Sequence, residues 1–146
     1  MDYSGKTVLI FGLARSGIAA AELLKRHGAT VIGVDDSRLP EFNNTNFDFT
    51  YTGIDWPAKL SVQPDEIVIS PGVPLTHSYL QNSTSPIIGE MELATRFYNG
   101  RIIAITGTNG KTTTTELTAH LLKSIGIESV ATGNTGLPFS LYADTL

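Results

Sequence analysis

The 146 residues carry 41% hydrophobic and 16% charged side chains, a globular composition that excludes an intrinsically disordered chain. Ten basic against fourteen acidic residues give a net charge of −4 without long like-charged runs, which argues against a general nucleic-acid or anionic-membrane surface. With no cysteine there are no disulfides or thiol nucleophiles, and with no leader pattern or long apolar run the expectation is a cytoplasmic protein without membrane or nucleic-acid partners.

Thr7-Val8-Leu9-Ile10-Phe11 reads as a buried strand ending at Gly12. Ile18, Ala20, Ala21 and Leu24 then recur at helical spacing before Gly28, and Thr30-Val31-Ile32-Gly33-Val34 predicts a second strand leading to Asp35 and Asp36. This is a βαβ unit of the size of a nucleotide-binding half. Its turn, Gly12-Leu13-Ala14-Arg15-Ser16-Gly17, keeps the first and third glycines of the dinucleotide fingerprint and puts Ala14 at the second. A methyl group there holds a pyrophosphate off the backbone and favours a different phosphate ligand. The acidic pair at the next strand end either accepts hydrogen bonds from a nucleoside or stands solvated in a turn.

Pro40, Asn43, Asn44 and Asn46 mark a polar connection, after which Phe47, Phe49 and Tyr51 alternate as in a half-buried strand. Residues 67–69 predict a further strand, with Ser70-Pro71-Gly72-Val73-Pro74 directly at its C-terminal end. Ligands gather at such ends in open parallel sheets, and Gly72 would admit one close to the backbone; a rigid Pro-Gly turn is the plainer alternative. Residues 75–80 predict a short helix, 87–88 a short strand, and 90–98 a helix whose Glu90 and Glu92 complement its dipole. Asn99-Gly100 sets a boundary, giving units 1–98 and 99–146. His27, His77 and His120 stand apart in unlike contexts and read as structural or surface residues.

The second unit opens with Ile102-Ile103-Ala104-Ile105 as a strand, then Thr106-Gly107-Thr108-Asn109-Gly110-Lys111-Thr112-Thr113, then a helix with Leu117, Leu121 and Ile125 on one face. A glycine loop between strand and helix presents unpartnered N–H groups at the positive end of the helix dipole, where a polyphosphate fits. Lys111 can reach terminal phosphates and the Thr112 hydroxyl can ligate Mg²⁺. Ile105 stands where the common P-loop has its first glycine, so this loop is a shorter variant; a glycine-rich turn with a solvated lysine is the alternative. Residues 128–131 predict one more strand, followed by Gly133-Asn134-Thr135-Gly136-Leu137-Pro138, whose Asn134 offers an amide donor and acceptor. Two strands and one helix are too little for a parallel nucleotide-binding domain, so 99–146 is expected to be incomplete and held only by packing on the first unit or another copy.

Four segments in one order, 12–17, 70–72, 106–113 and 133–138, resemble the N-terminal part of the Mur ligase family, most closely its D-glutamate-adding MurD branch. The resemblance implies an α/β fold: a Rossmann-like parallel-sheet domain over 1–98 that binds a UDP substrate, followed over 99–146 by the start of a P-loop ATPase domain. It implies ATP and Mg²⁺ as cofactors, UDP-N-acetylmuramoyl-L-alanine and D-glutamate as partners, and amide formation through an acyl phosphate in peptidoglycan precursor synthesis. On that carry-over Arg15, Ser16, Asp36, Ser37, Arg38, Gly72 and Asn134 bind the UDP substrate. Gly107, Thr108, Asn109, Gly110, Lys111, Thr112 and Thr113 bind ATP, with Lys111 and Thr112 catalytic and Thr112 on Mg²⁺. Ala14 and Arg15 depart from the smaller residues the family often carries. The family's second metal ligand, carbamylated lysine and amino-acid domain fall beyond residue 146, so this stretch alone is expected to be inactive. Alternatives are another Mur-type ligase with a different amino acid, a nicotinamide-dependent oxidoreductase built on 1–98, and a non-catalytic nucleotide-binding module.

Overall fold

Side chains of a strand point alternately to opposite faces, and in the first strand both faces are buried: Val8 and Ile10 enter one apolar cluster, Leu9 and Phe11 the other. The computed structural model, which describes residues 1–133 and 136–145, builds five parallel strands on this principle. They are β1 (Thr7–Phe11), β2 (Thr30–Asp35), β3 (Phe49–Thr52), β4 (Glu66–Ile69) and β5 (Ile87–Gly89), in the order β3-β2-β1-β4-β5. In register, Leu9 lies between Ile32 and Ile67, and Ile10 between Gly33 and Val68.

One face of the sheet is covered by α1 (Arg15–Arg26) and α4 (Glu90–Thr95), through Ala20, Leu23 and Leu24 of the first and Leu93 and Ala94 of the second. Each fully buried leucine contributes about 1.5–3 kcal/mol by leaving water. The other face is covered by α2 (Trp56–Lys59) and α3 (Ser78–Asn82), whose Trp56 and Leu80 close the second cluster. Among the described residues no helix is long and apolar enough to cross a membrane.

The chain then leaves the sheet, and α5 (Lys111–Ser124) has no buried residue. Its predicted apolar face exists but is uncovered, with Leu117, Leu121 and Ile125 exposed by 55, 55 and 72%. The expected strands at 102–105 and 128–131 are absent. A β-branched run becomes a strand only where a neighbour supplies the ladder, and no described residue pairs with either stretch. Other differences are smaller. The helix expected over 75–80 is α3, shifted to Ser78–Asn82 because His77 caps it. Phe47 precedes β3 and packs beneath α1, while Phe49 is exposed. Asp48 accepts from Val31 N at 2.7 Å and from Lys25, which draws the chain inward at Phe47 and breaks the expected alternation.

The end of the described chain returns to the first face. A 3₁₀ turn at Phe139–Leu141 and Ala143 enter the α1–α4 cluster, and the Phe139 ring meets Tyr98 edge-on at 5.3 Å. Ser140 N donates to the buried Glu90 carboxylate at 2.7 Å, so Glu90 anchors a distant backbone rather than only its own helix end. Asp144 pairs with Arg26 at 2.7 Å and with His27 at 3.0 Å. The Arg26 hydrogen bond draws the Asp144 carboxyl below its ordinary value, against burial and with help from His27.

Candidate functional site

The sheet order turns back at β1: β2 and β3 lie on one side of it, β4 and β5 on the other. The chain after β1 runs to α1 on one face, and the chain after β4 runs to α3 on the other, so a crevice opens between them above the C-terminal strand ends. It holds a cavity of about 490 Å³, a size typical of small-molecule sites, continuous through Ser16, Ser70 and Pro71 with a lobe of about 360 Å³.

The walls are fixed by a short network. Gly12 N donates to Val34 O, Ser70 N to Phe11 O and Ser70 Oγ to Gly12 O, each at 2.9 Å. Asp35 receives Leu13 N at 2.9 Å and Ser37 N at 2.8 Å, stitching the turns after β1 and β2 together. Gly17 lies so close to the Gly12 carbonyl that any Cβ there would stand 2.0 Å from the oxygen, which is the close helix–strand approach that the third glycine of the fingerprint permits. Helix α1 starts with no side-chain cap and no acid in its first turn. Its dipole and unpartnered N–H groups therefore favour an anion.

Of the residues expected to bind the UDP substrate, Arg15, Ser16, Asp36 and Gly72 line this cavity. Ser37 and Arg38 are exposed and do not; Arg38 lies over Gly53, where an added Cβ would come within 3.3 Å of its Cγ. Its charge acts on Asp55, whose carboxyl the Lys59 hydrogen bond, above all, draws downward. Asn134 lies outside the described residues, while its neighbour Gly133 lines the smaller lobe. Sequence reasoning missed Asp35 as an organiser of the turns and the surroundings of Asp36, where Trp56 and His77 converge. A signal was present for His77, which follows the Ser70-Pro71-Gly72 turn by five residues.

The second expected site, Gly107 through Thr113, is an exposed loop running into α5. Gly110 takes a left-handed conformation at φ 75° and leads into the helix with no side-chain cap and no acid in the first turn. The Lys111 ammonium folds back over the loop onto the carbonyls of Gly107 and Thr108. The loop's own carbonyls are thus the partners of the lysine cation.

A parallel sheet whose order reverses at β1, with the turns after β1 and β4 facing each other there, defines the Rossmann-like class of α/β domains. Residues 6–89 match the Mur ligase MurD-like N-terminal domain and residues 105–144 the Mur ligase middle domain. The chain belongs to the Mur ligase family. Relatives from Caldicellulosiruptor saccharolyticus and Aquifex aeolicus, each named UDP-N-acetylmuramoylalanine--D-glutamate ligase, are 42% identical to it over 99% and 90% of its length. A third of the same name, from Leuconostoc mesenteroides, is 38% identical over 95%. These alignments cover 34, 29 and 33% of the relatives, so the chain spans about a third of the length of the curated relatives it matches.

Proposed function

We propose that residues 1–98 are the UDP-substrate-binding domain, and residues 99–146 the beginning of the ATP-binding domain, of a cytoplasmic ATP-dependent ligase. That ligase joins D-glutamate to UDP-N-acetylmuramoyl-L-alanine in peptidoglycan precursor synthesis. The observation that carries the reading is the crevice at the β1–β4 reversal, where Arg15, Ser16, Asp36 and Gly72 converge beside the uncapped start of α1. Arg15 and the first N–H groups of α1 supply positive charge for a diphosphate, and Asp36 supplies an acceptor for the nucleoside.

The 107–113 loop fits a nucleoside triphosphate. Gly110 and the open N-terminus of α5 offer backbone donors, and Lys111 is a cation whose partners are replaceable carbonyls. Thr112 stands in the first helical turn, where its hydroxyl is a hard oxygen ligand of the kind Mg²⁺ takes alongside phosphate oxygens. In the reaction the substrate carboxylate takes the γ-phosphoryl group and releases ADP; the amine of D-glutamate then displaces phosphate and forms the amide. Lys111 and the loop N–H groups hold the negative charge that spreads over the transferring group, and bound Mg²⁺ supplies further charge neutralisation.

The test is phosphate release by the full-length ligase given ATP, Mg²⁺ and UDP-N-acetylmuramoyl-L-alanine. D-glutamate should stimulate it strongly, and L-alanine, L-lysine or diaminopimelate should not. Stimulation by one of those instead would reassign the ligase, and none at all would leave a nucleotide-binding module. Calorimetry on the 146-residue chain should show heat with UDP and none with NAD.

A further inference from the structure

Asp36 presents its carboxylate to the crevice, with its side chain 44% exposed. A carboxylate so exposed would ordinarily turn among rotamers. Here Oδ1 is held, accepting from Trp56 Nε1 at 2.8 Å, and Oδ2 lies 3.3 Å from His77 Nε2, within ion-pair distance. Both partners are themselves packed against other rings. Trp56 is fully buried, meets Phe11 edge-on at 5.1 Å and Tyr79 at 4.7 Å, and stacks on the His77 ring with an interplanar angle of 12°. The His77 ring also meets Phe11 edge-on at 4.8 Å.

The hydrogen bonding of His77 fixes which nitrogen carries the proton. Its Nδ1 accepts the Tyr79 backbone N–H at 3.3 Å, so the neutral ring bears its hydrogen on Nε2, the nitrogen that faces Asp36 Oδ2. With Oδ1 accepting from Trp56 and one side of Oδ2 turned to His77, a carboxylate retains about two further acceptor sites toward the crevice. We propose that Trp56 and His77 are positioning residues that lock Asp36 as a preset acceptor, so that this side of the crevice selects a nucleoside presenting a hydrogen-bond donor. The proposal rests on the UDP reading of the crevice. Preorganisation is its physical content: a ligand meeting a locked carboxylate does not bear the entropy of ordering it.

The two nitrogens of His77 can be tested separately. His77→Gln places an amide near the Nε2 position and keeps a donor for Asp36, while His77→Asn places an oxygen near the Nδ1 position and keeps only the cap of α3. Calorimetry with UDP on the 146-residue chain should show affinity lowered about tenfold by His77→Asn and by Trp56→Phe, and within about twofold of wild type for His77→Gln. In an Asp36→Ala background none of the three should have a further effect. A merely structural histidine gives the opposite order, with Asn the better replacement, and that order or equal affinities would overturn the proposal. Trp56 is the sole tryptophan, so its indole N–H resonance reports directly on the wild-type chain and should move when UDP is added. A resonance that stays fixed while UDP binds would also overturn it. If wild type binds no UDP, the crevice reading falls and takes the proposal with it. If UDP binding is weakened by Arg15→Ala but is indifferent to His77→Asn, only the positioning role falls.

Discussion

Gly17→Ala puts the close approach of α1 to β1 on trial. The added Cβ would stand 2.0 Å from Gly12 O, 3.1 Å from Gly12 C and 3.2 Å from Ile10 Cγ2. Since non-bonded heavy atoms do not settle below about 3 Å, the helix must withdraw by about 1 Å, and a gap of that size forfeits a quarter to a half of each contact beneath it. Those contacts belong to Ala20, Ala21 and Leu24, all with no exposed surface. Overpacking of this kind costs about 1–3 kcal/mol, and the better helix propensity of alanine returns roughly 0.5–1 kcal/mol. The net expectation is a loss of about 1 kcal/mol, read as a lower urea midpoint at unchanged slope and as a melting temperature lower by about 2–4 °C. Gly72→Ala is the control, because a Cβ there meets nothing within 4 Å and its φ is unexceptional. Its stability should stay within about 0.5 kcal/mol of wild type while UDP affinity falls, if the ligand passes close to this backbone. A Gly17→Ala chain as stable as wild type would show that helix and strand are not locked by that contact.

On the proposed ligase reading, in which the Lys111 cation acts on charge developing at the phosphoryl group, Lys111→Ala in the full-length protein should lower turnover by at least about 10²-fold; near-normal turnover would remove the lysine from the reaction. Asp144 has a lowered folded-state pKa, so the stability it contributes is present above its ordinary value of 3.8 and disappears as pH falls through the lower folded value. Asp144→Asn should therefore be less stable than wild type near pH 7, by about 1 kcal/mol, and the gap should close under acid; a gap independent of pH would refute the ion-pair account. Amide hydrogen exchange in residues 102–105 should be fast relative to Val8, Leu9 and Ile10, since no ladder protects them, and equal protection would contradict the absence of a strand there.

Strands β1, β2 and β4 are legible in the sequence because a strand buried on both faces is an uninterrupted apolar run, and α1 because its small and large apolar residues keep a helical period. The run at 102–105 is as apolar as β1 and has no strand beside it, which shows that an apolar run states only a propensity. In the crevice, the turns at Gly12 and Ser70 are visible because glycine and proline mark them locally. The lock on Asp36 is invisible for a different reason. Trp56 and His77 lie 20 and 41 residues away along the chain, and only the packing of α2 and α3 on the second face brings their ring nitrogens together.

The return of Phe139 and Ala143 to the α1–α4 face makes the intervening chain, with α5 and the glycine loop before it, a closed loop of roughly 40 residues fixed at both ends. A tether of that kind sets a local concentration rather than an orientation: it keeps the 107–113 segment near the crevice at an effective millimolar level without any rigid interface between them. It is also forgiving in length. Adding about 20 flexible residues would raise the closure cost by only about 0.4 kcal/mol, so the loop tolerates insertion, whereas cutting it would release the 107–113 segment to the bulk on one side and unseat the Phe139 ring from its edge-on contact with Tyr98 on the other.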